Sequence, residues 1–449
     1  MTHHTVREWG RVRVGPEGIF SRGQADALLE AARRHPCGGD EGTSILSDHH
    51  RHLTARHVVG VLAGRDCSLE ILPKVDPAGA DEAAGTVRRR LVHMLDVALG
   101  LGLSVGVATS MAHRAESLLD LFIAHFADRL LAEVRHGLPR EYRAQEDDLR
   151  ALRGRLDIIR QFTVHAVRPD RLACRFDSLD ADTPLLRIMK ACVVLLSRHA
   201  RAQETQRKLA ELRFLLADVR DVPRRDLPWA KVRIDRTNGR WRTLLALAKL
   251  LLRQHWQQTH ADAQQPEGIT LLFPMHELFE RYVTVQARRA LAPLGLEVIA
   301  QGGFENCLGE WRPGEICLGR VFRTRPDILV RRQGRVVAVV DTKWKALSAD
   351  PLDRRHGVPQ ADVYQLMAYA RLYCCDRLLL FYPASHGDVD GKIHTHGIAH
   401  GRERLDIATI SLEAGGGSTR ERLRELICYH APNEMRAQPE GSGAFLGAL

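Results

Sequence analysis

The sequence lacks several patterns that would each have suggested a class of protein. Nine cysteines are scattered along 449 residues, and although Cys374 and Cys375 are adjacent, no Cys-x-x-Cys pair occurs. This argues against a zinc ribbon and against a secreted disulfide scaffold. A G-x-x-x-x-G-K-[ST] phosphate-binding loop is also missing, because the segment GPEGIFSRG ends without Lys-Ser or Lys-Thr. We therefore expect that this chain by itself binds and hydrolyses no nucleotide.

Long apolar runs are missing too. The longest, residues 97–112 (VALGLGLSVGVATSMA), contains glycine and serine and is shorter than the roughly 20 residues of a membrane-spanning helix. The first residues, MTHHTVREWGRVRV, are polar and charged and contain no apolar signal core. These features predict a cytoplasmic protein that contacts no membrane.

The bulk composition is that of a soluble globular protein. A chain of 449 residues is too long for one hydrophobic core, so we expect two or three domains. Hydrophobic residues make up 45% and charged residues 27%, which argues against wholesale disorder. A net charge of +10 favours a polyanionic partner, either nucleic acid or an acidic protein face.

Apolar periodicity divides the chain into regions, and together they predict an α+β multidomain protein. Residues 1–85 contain short alternating runs and should form a β-rich N-terminal domain. Residues 86–265 carry apolar residues at three- and four-residue steps, which predicts a mainly helical middle region. Residues 266–430 alternate helical and strand patterns, and residues 431–449 should form a flexible tail. The helices predicted in the middle region are Arg88–Leu99, Ala115–Arg135, Leu185–His199 and Thr243–Thr259.

The C-terminal region predicts a central mixed sheet with helices on its faces. Helical patterns cover residues 275–291 and 362–374, and strand patterns lie between and after them. The predicted strands are Leu296–Ala300, Ile316–Val321, Pro326–Arg331, Arg335–Lys343, Arg377–Pro383 and Leu405–Leu412.

One of these strands ends in charged residues. The apolar run Val336–Val340 leads directly into Asp341-Thr342-Lys343. Residues two apart in a strand project to the same face, so Asp341 and Lys343 should lie side by side. A short turn at residues 331–335 predicts a hairpin that brings Asp327 towards Asp341.

Two neighbouring carboxylates repel each other, and a divalent cation relieves that repulsion. Mg²⁺ held by Asp327 and Asp341, with Thr342 as a further ligand, would activate water and stabilise phosphate charge. Lys343 could orient or deprotonate that water and offset negative charge. These residues form a minimal set for phosphodiester hydrolysis.

Three other residues are candidates for supporting roles. Gln365 and Tyr369 lie four apart on one helix, hence on one face, and Glu280 lies in the helix before the sheet. The alternative is an ordinary hairpin with an exposed Asp–Lys pair worth less than about 1 kcal/mol, because Pro-Asp followed by Asp-x-Lys arises often by chance. The buried strand before Asp341, the short hairpin and the following helix favour a functional site.

Several of these segments match the motifs of a known group of enzymes. The chain resembles the PD-(D/E)XK nuclease superfamily and, within it, the McrC family. The resemblance is strong over residues 270–385 and looser upstream. The matching segments are Leu278-Phe279-Glu280, Pro326-Asp327, Asp341-Thr342-Lys343, Tyr364-Gln365-Leu366 and, upstream, Glu8-Trp9-Gly10, Ile71–Lys74, Gly154–Asp157 and Phe176–Leu195.

The resemblance implies a PD-(D/E)XK endonuclease domain over residues 266–430. It further implies the DNA-cleaving subunit of a modification-dependent restriction complex of the 5-methylcytosine type, using Mg²⁺, for which Mn²⁺ could substitute. The partner would be a McrB-like AAA+ GTPase ring that this chain stimulates. The N-terminal domain, together with the helical middle region, would form the arm that docks on that ring. Two nuclease domains would pair to cut double-stranded DNA.

Two other hypotheses remain open from the sequence. The chain could be a stand-alone nuclease of the same superfamily, acting in another restriction or repair system; cleavage without a nucleotide would indicate this. It could instead be a non-catalytic adaptor that only assembles and stimulates the GTPase ring. The complete Asp327, Asp341 and Lys343 set disfavours the adaptor.

Overall fold

The protein is an α+β chain that divides into two compact units. Unit 1 comprises residues 1–73 and 83–274, and unit 2 comprises residues 74–82 and 275–449. Across the part of the chain that is described, no helix is both long and apolar enough to span a bilayer. The computed structural model describes residues 2–39, 42–74, 82–102, 117–168, 170–253, 269–314, 317–347, 353, 355–384, 393–413 and 417–428.

Unit 1 contains a four-stranded sheet in the order β1-β6-β5-β10, two three-stranded sheets (β2-β4-β3 and β7-β9-β8) and several helices. Among the described residues of this unit, four short 3₁₀ helices lie between them: Pro36–Gly38, Arg224–Asp226, Trp229–Lys231 and Gly239–Trp241. The elements are β1 (Thr2–Arg7), β2 (Arg11–Arg13), α1 (Arg22–Arg34), β3 (Leu46–Asp48), β4 (His52–Ala55), β5 (Val58–Gly64), β6 (Cys67–Leu72), α2 (Ala84–Leu99), α3 (Leu118–Arg135), β7 (Glu141–Leu149), β8 (Arg155–Leu156), α4 (Ile158–Thr163), β9 (Leu172–Asp180), α5 (Pro184–Leu196), α6 (Gln203–Leu215), α7 (Arg242–Arg253) and β10 (Leu271–Pro274).

A buried carboxylate joins the four-stranded sheet of unit 1 to its helices. Glu70 lies on β6 and is 0% exposed. It forms a bidentate pair with Arg88 of α2, at 2.9 Å and 2.5 Å. It also accepts hydrogen bonds from the Thr5 hydroxyl of β1, at 2.8 Å, and from the Leu118 amide at the start of α3, at 2.8 Å. One side chain therefore connects two strands and two helices.

Two parts of unit 1 differ from the sequence expectation. The β-rich segment contains a helix, α1, which begins with a capping box between Ser21 and Gln24. The segment expected to be mainly helical contains the long antiparallel pair β7 and β9, joined by β8. β7 has the sequence EYRAQEDDL and is mostly exposed, so it lacks the alternation of apolar and polar residues by which a half-buried strand is detected.

The helices predicted in the middle region are otherwise present with shifted ends. Predicted Arg88–Leu99 corresponds to α2, and predicted Leu185–His199 corresponds to α5, which ends three residues earlier. Predicted Ala115–Arg135 and Thr243–Thr259 correspond to α3 and α7. Residues 115–116 and 254–259 of these two predictions lie outside the described residues.

Unit 2 is built on a six-stranded mixed sheet in the order β11-β14-β15-β16-β18-β17. Strands β15, β16 and β18 run parallel, and the other pairings are antiparallel. The elements are α8 (Met275–Leu291), a 3₁₀ helix (Ala292–Leu294), β11 (Glu297–Ala300), β12 (Asn306–Leu308), β13 (Val321–Arg323), β14 (Ile328–Arg332), β15 (Arg335–Thr342), α9 (Gln360–Leu372), β16 (Arg377–Pro383), β17 (Ile393–Gly397), β18 (Arg404–Ile410) and α10 (Gly417–Cys428).

Strand β15 has an interior position in this sheet, between β14 and β16. Ala338, Val339 and Val340 are buried, as the apolar run predicts for a strand covered on both faces. Helix α9 packs on the sheet, where Leu366 joins Val339 in one apolar cluster. The mixed sheet with flanking helices is therefore present.

One strand prediction in unit 2 was wrong. Residues 317–320 of the predicted strand Ile316–Val321 are irregular, and the strand there is β13. Ile316 and the predicted tail, residues 431–449, lie outside the described residues.

Candidate active site

The two sequence-predicted aspartates meet at the open end of a hairpin. Strands β14 and β15 are antiparallel and joined by a two-residue turn at Gln333 and Gly334. Both turn residues have positive φ, 49° and 83°, as the tightest hairpin turns require. At the other end Ile328 pairs with Val340, so the next position places Asp327 opposite Asp341.

A bulge sets this register. Near the turn Arg331 pairs with Val336, whereas further along Val330 pairs with Ala338, so that Val337 is the extra residue. A regular ladder begun at the turn would have paired Asp327 with Val340 instead of Asp341. Bulges beside functional sites commonly redirect side chains in this way.

Asp327 is held in place by Thr342. Its Oδ2 accepts hydrogen bonds from the Thr342 amide at 2.7 Å and from the Thr342 hydroxyl at 2.8 Å. Burial raises the pKa of Asp327 above its ordinary value, while these two hydrogen bonds and the charge of Lys343 lower it. The carboxylate is therefore positioned by the strand that carries its partner.

Asp341 is a carboxylate in an apolar setting with one cation beside it. It is 1% exposed, and its Oδ2 lies 2.8 Å from Lys343 Nζ. Burial and then the charge of Asp327 raise the pKa of Asp341 to about 6, although Lys343 opposes this shift. The repulsion between the two aspartates is thus only partly compensated by the lysine.

Lys343 has a second acidic neighbour that sequence reasoning missed. Asp362, in the first turn of α9, lies 3.6 Å from Lys343 and 3.2 Å from Lys345. Burial by itself lowers the pKa of Lys343, but Asp341, Asp362 and Asp327 raise it above its ordinary value. The lysine is therefore a protonated cation at neutral pH, suited to offset negative charge and unsuited to remove a proton.

Glu280 of α8 belongs to the same electrostatic group. Burial and then the charge of Asp327 raise its pKa to about 7, while a hydrogen bond with Gln301 lowers it. The side-chain oxygen of Gln301 in turn accepts a hydrogen bond from Arg325. The backbone amide of Gln301 donates to the Asp327 carbonyl at 2.7 Å. Gln301 lies in no motif that would have marked it in the sequence, and Arg325 directly precedes the Pro326-Asp327 motif without being part of it.

The predicted pair on α9 interacts with itself. Gln365 Nε2 donates to Tyr369 Oη at 2.7 Å, and Tyr369 is buried. Burial raises the pKa of Tyr369, and the charges of Asp341 and Asp327 raise it further, although the hydrogen bond from Gln365 lowers it. Tyr369 is therefore within electrostatic reach of the two aspartates, with Gln365 as its direct partner.

The donor set suits a hard divalent cation that keeps part of its water shell. Three acids, Asp327, Asp341 and Glu280, have raised pKa values because burial disfavours their charged forms, and the charge of Asp327 raises the pKa of the other two further. Among the described residues, no three His, Cys, Asp or Glu side chains converge into a closed metal-binding group. Mg²⁺ is commonly bound through one or two carboxylates and several waters, so the residues fit this ion without a closed cage.

The fold and site define an α+β protein in which a half-buried aspartate, a buried aspartate and a lysine converge at one end of a hairpin within a mixed sheet. The chain belongs to the family described as McrBC 5-methylcytosine restriction system component, whose model matches residues 53–383. A search of curated proteins found no match.

Two solved structures are similar to this chain. One is a refined half-complex from a tetradecameric assembly of Thermococcus gammatolerans McrB AAA+ hexamers with bound McrC. It contains a chain with a TM-score of 0.71 and 22% identity, covering 95% of this chain and 99% of that one. The other is a cryo-EM structure of the Thermococcus gammatolerans McrBC complex, with a TM-score of 0.54 and 24% identity, covering 65% and 88%. At these identities the similarity shows the fold.

Proposed function

We propose that this chain is the DNA-cleaving subunit of its restriction system, a Mg²⁺-dependent endonuclease of the PD-(D/E)XK type. The observation that carries the proposal is the convergence of Asp327, Asp341 and Lys343 at one end of the β14–β15 hairpin. The supporting observation is the raised pKa of Asp341, about 6. A carboxylate pair whose charge is poorly compensated is typical of a site built for an added cation.

The residues have distinct roles in this proposal. Asp327 and Asp341 would hold Mg²⁺ together with Thr342, whose amide and hydroxyl also position Asp327. When bound, the ion would supply an activated water and stabilise charge on the phosphate. Lys343 remains protonated and would offset the developing negative charge, while Asp362, 3.6 Å away, helps to position it. Glu280 stores or releases a proton near neutral pH, and Gln365 positions Tyr369.

The proposal includes a partner, a McrB-like AAA+ GTPase ring, with unit 1 as the contacting part. The supporting observation is a set of exposed apolar side chains between β8 and β9 of unit 1. A surface of this kind marks an interaction site more often than a solvated face. Its members are Ile158, Ile159, Phe162, Val164 and Val167.

The function is tested by cleavage of double-stranded DNA, with and without 5-methylcytosine. We expect the full chain to cut modified DNA when the GTPase, GTP and Mg²⁺ are all present. Removing Mg²⁺ with EDTA should abolish cutting, and Mn²⁺ should restore it. Cutting by the chain alone without nucleotide would favour the stand-alone nuclease. Stimulated GTP hydrolysis without cutting on any DNA would favour the adaptor and overturn the proposal.

Binding of the metal should depend on pH. The pKa values are about 7 for Glu280 and about 6 for Asp341, and metal binding requires ionised carboxylates. The affinity for the metal should therefore be highest above pH 7. As the pH decreases below 7, the affinity should fall by up to about tenfold per pH unit for each proton that metal binding releases. Titration of Mn²⁺ into the full chain, followed by electron paramagnetic resonance, measures this.

The matched control for the pH dependence is Glu280→Gln, which removes the group with the higher pKa. The fall in affinity should then begin at a lower pH, near the pKa of Asp341. An affinity that is the same at pH 5.5 and pH 8 would contradict the protonated state that we assign to these carboxylates.

A further inference from the structure

Unit 2 carries an exposed ribbon that the proposed reaction does not use. We call residues 304–314 and 317–325 the insert ribbon; it contains the antiparallel pair β12 and β13 and lies between β11 and β14 in the sequence. Its apolar side chains face solvent, with Trp311 79% exposed and Phe322 72% exposed. Isolated exposed apolar residues are ordinary, but a concentration of large ones on one small element indicates an interaction surface.

The base of the insert ribbon is fixed to the body of unit 2. Thr324 is buried, and both its amide and its hydroxyl donate to the Glu305 carbonyl at 2.7 Å. The same hydroxyl lies 2.7 Å from the Tyr373 hydroxyl, which accepts the Glu305 amide at 3.3 Å. These contacts join the two ends of the ribbon to each other and to the residue following α9. The ribbon is therefore a projecting element with an anchored base.

Two aromatic residues of the ribbon have an unusual backbone. Phe304 has φ of 48° and Phe322 has φ of 58°, in the left-handed region that bulky side chains rarely adopt. Such conformations are strained and cluster at functional sites. Both phenylalanines remain exposed, so burial in the core does not account for their conformation.

Arginines are interleaved with these aromatic residues. Between residues 304 and 325 the sequence has four arginines and three glutamates, and one glutamate, Glu310, pairs with Arg312 at 3.1 Å. The guanidinium of Arg323 lies 3.7 Å from the centre of the Phe304 ring, and Arg320 is exposed. Arginine stacked on an aromatic ring, with its edge open to solvent, presents donors suited to phosphate.

The ribbon is close to the candidate active site along the chain. Arg323 and Asp327 are four residues apart, which limits their Cα separation to about 14 Å. That distance corresponds to about four base-pair steps of B-form DNA. A duplex with a phosphate at the two aspartates would therefore pass within reach of the ribbon.

We propose that the insert ribbon is a DNA-binding element that enters a groove of the duplex beside the cleaved phosphate. A two-stranded ribbon matches the width of the major groove. In this arrangement Arg320 and Arg323 contact phosphates, and the exposed rings of Trp311 and Phe322 pack against sugars or bases. This inference rests on the proposed nuclease function, because it takes the cleaved DNA as the ligand.

A second copy of this chain is the other macromolecule that such a surface could bind. A twofold contact through β13 would bring the exposed Arg320 and Arg323 of the two copies towards each other, which is unfavourable. DNA, by contrast, supplies the negative charge that the arginines require. The exposed Arg320 and Arg323 therefore favour DNA.

Binding of DNA tests the proposal separately from cleavage. The full chain with Asp341→Asn, which should not cut, is titrated against a short fluorescein-labelled DNA duplex over a series of salt concentrations. Adding Arg320→Gln and Arg323→Gln should weaken binding at low salt and reduce the slope of log affinity against log salt by about 1 for each lost phosphate contact. Adding Trp311→Ala and Phe322→Ala should weaken binding about tenfold while leaving that slope unchanged.

The control pair is Arg213→Gln with Phe214→Ala, an arginine and a phenylalanine that are both exposed on α6. This pair should bind DNA like the parent chain, and thermal melting should show that every variant folds. Parental affinity and slope in both ribbon variants would overturn the proposal. Unchanged DNA binding with a change in sedimentation would identify the ribbon as an interface between copies, which also overturns it.

Failure of the ribbon and failure of the proposed function give different results. A chain that binds DNA through the ribbon yet never cuts with its GTPase would contradict the nuclease assignment alone. A chain that cuts DNA while the ribbon variants, made with Asp341 intact, bind and cut like the unaltered protein would contradict the ribbon alone.

Discussion

Replacing Asp341 with asparagine is expected to reduce DNA cleavage by at least about a thousandfold, equivalent to about 4 kcal/mol of transition-state stabilisation. Asparagine is nearly isosteric with aspartate, but its amide is a poor ligand for Mg²⁺ in place of a carboxylate. The substitution also removes the ion pair of Lys343 with Asp341 and leaves the pair with Asp362. Cleavage of modified DNA with the GTPase, GTP and Mg²⁺ is the measurement.

A matched control is Asp376→Asn, which makes the same chemical change at an exposed position in the turn before β16. It should cut at the rate of the unaltered chain. Retained cleavage in Asp341→Asn would remove the basis of the nuclease proposal, whatever the result with the control.

Asp341→Asn should not be less stable than the unaltered chain. This result would separate a functional role of Asp341 from a structural one. Raising the pKa of Asp341 from 3.8 to about 6 corresponds to a cost on the order of 3 kcal/mol for keeping this group charged in the folded protein. A carboxyl group with a raised folded pKa destabilises the fold above that pKa, and the cost disappears as the pH falls towards the unfolded value. Asn avoids this cost but loses the ion pair with Lys343.

We therefore expect Asp341→Asn to melt at the same or a higher temperature than the unaltered chain at pH 8, with the difference narrowing at pH 5. Differential scanning calorimetry at both values measures it. A melting temperature that falls sharply at pH 8 would show that Asp341 stabilises the fold, and loss of cleavage in this variant would then carry no information about catalysis.

Replacing Glu70 with alanine is expected to destabilise unit 1 by about 3–5 kcal/mol. The carboxylate is fully buried and holds Arg88, Thr5 and the Leu118 amide together. Removing it leaves a buried guanidinium without its bidentate partner, and it leaves a hydroxyl and an amide without their acceptor. Urea denaturation followed by circular dichroism measures the loss of free energy of unfolding.

The control for this substitution is Glu211→Ala. Glu211 pairs with Arg135 at 3.0 Å, but both side chains are largely exposed, so its removal should cost less than about 1 kcal/mol. A second variant tests the mechanism: Glu70→Met combined with Arg88→Met removes both charges and should recover part of the lost stability. Equal, small effects at Glu70 and Glu211 would show that the buried pair does not hold unit 1 together.

The centre of unit 2 could be predicted from sequence because its signals are local. The run Val336–Val340 is apolar at every position, and the Gln333-Gly334 turn follows known hairpin chemistry. Together they predict an interior strand, a hairpin and the approach of Asp327 to Asp341. Helix α8 was predicted over Met275–Leu291, where the structure has it, because its apolar stripe is regular.

Other features depend on contacts between residues far apart in sequence, which local patterns do not contain. Asp362 reaches Lys343 and Lys345 only because α9 packs beside β15. Gln301 joins Glu280 to Arg325 across separate elements. The β7–β9 pair was missed for a different reason, since β7 is mostly exposed and shows no apolar face. Apolar periodicity reveals strands with a buried face, so a strand such as β7, which has no buried face, is not detected.

The bulge at Val337 sets the strand register, and the register determines whether Asp341 lies on the same face of the sheet as Asp327. Side chains alternate along a strand, so a shift of β15 by one residue would carry Asp341 to the opposite side of the sheet. The hairpin can exchange one aliphatic residue for another and still bring the acids together. Insertion of one residue between the two aspartates would separate them, unless a second bulge restored the register. Over evolutionary time, the number of residues in this segment should therefore change less readily than the identity of its aliphatic residues.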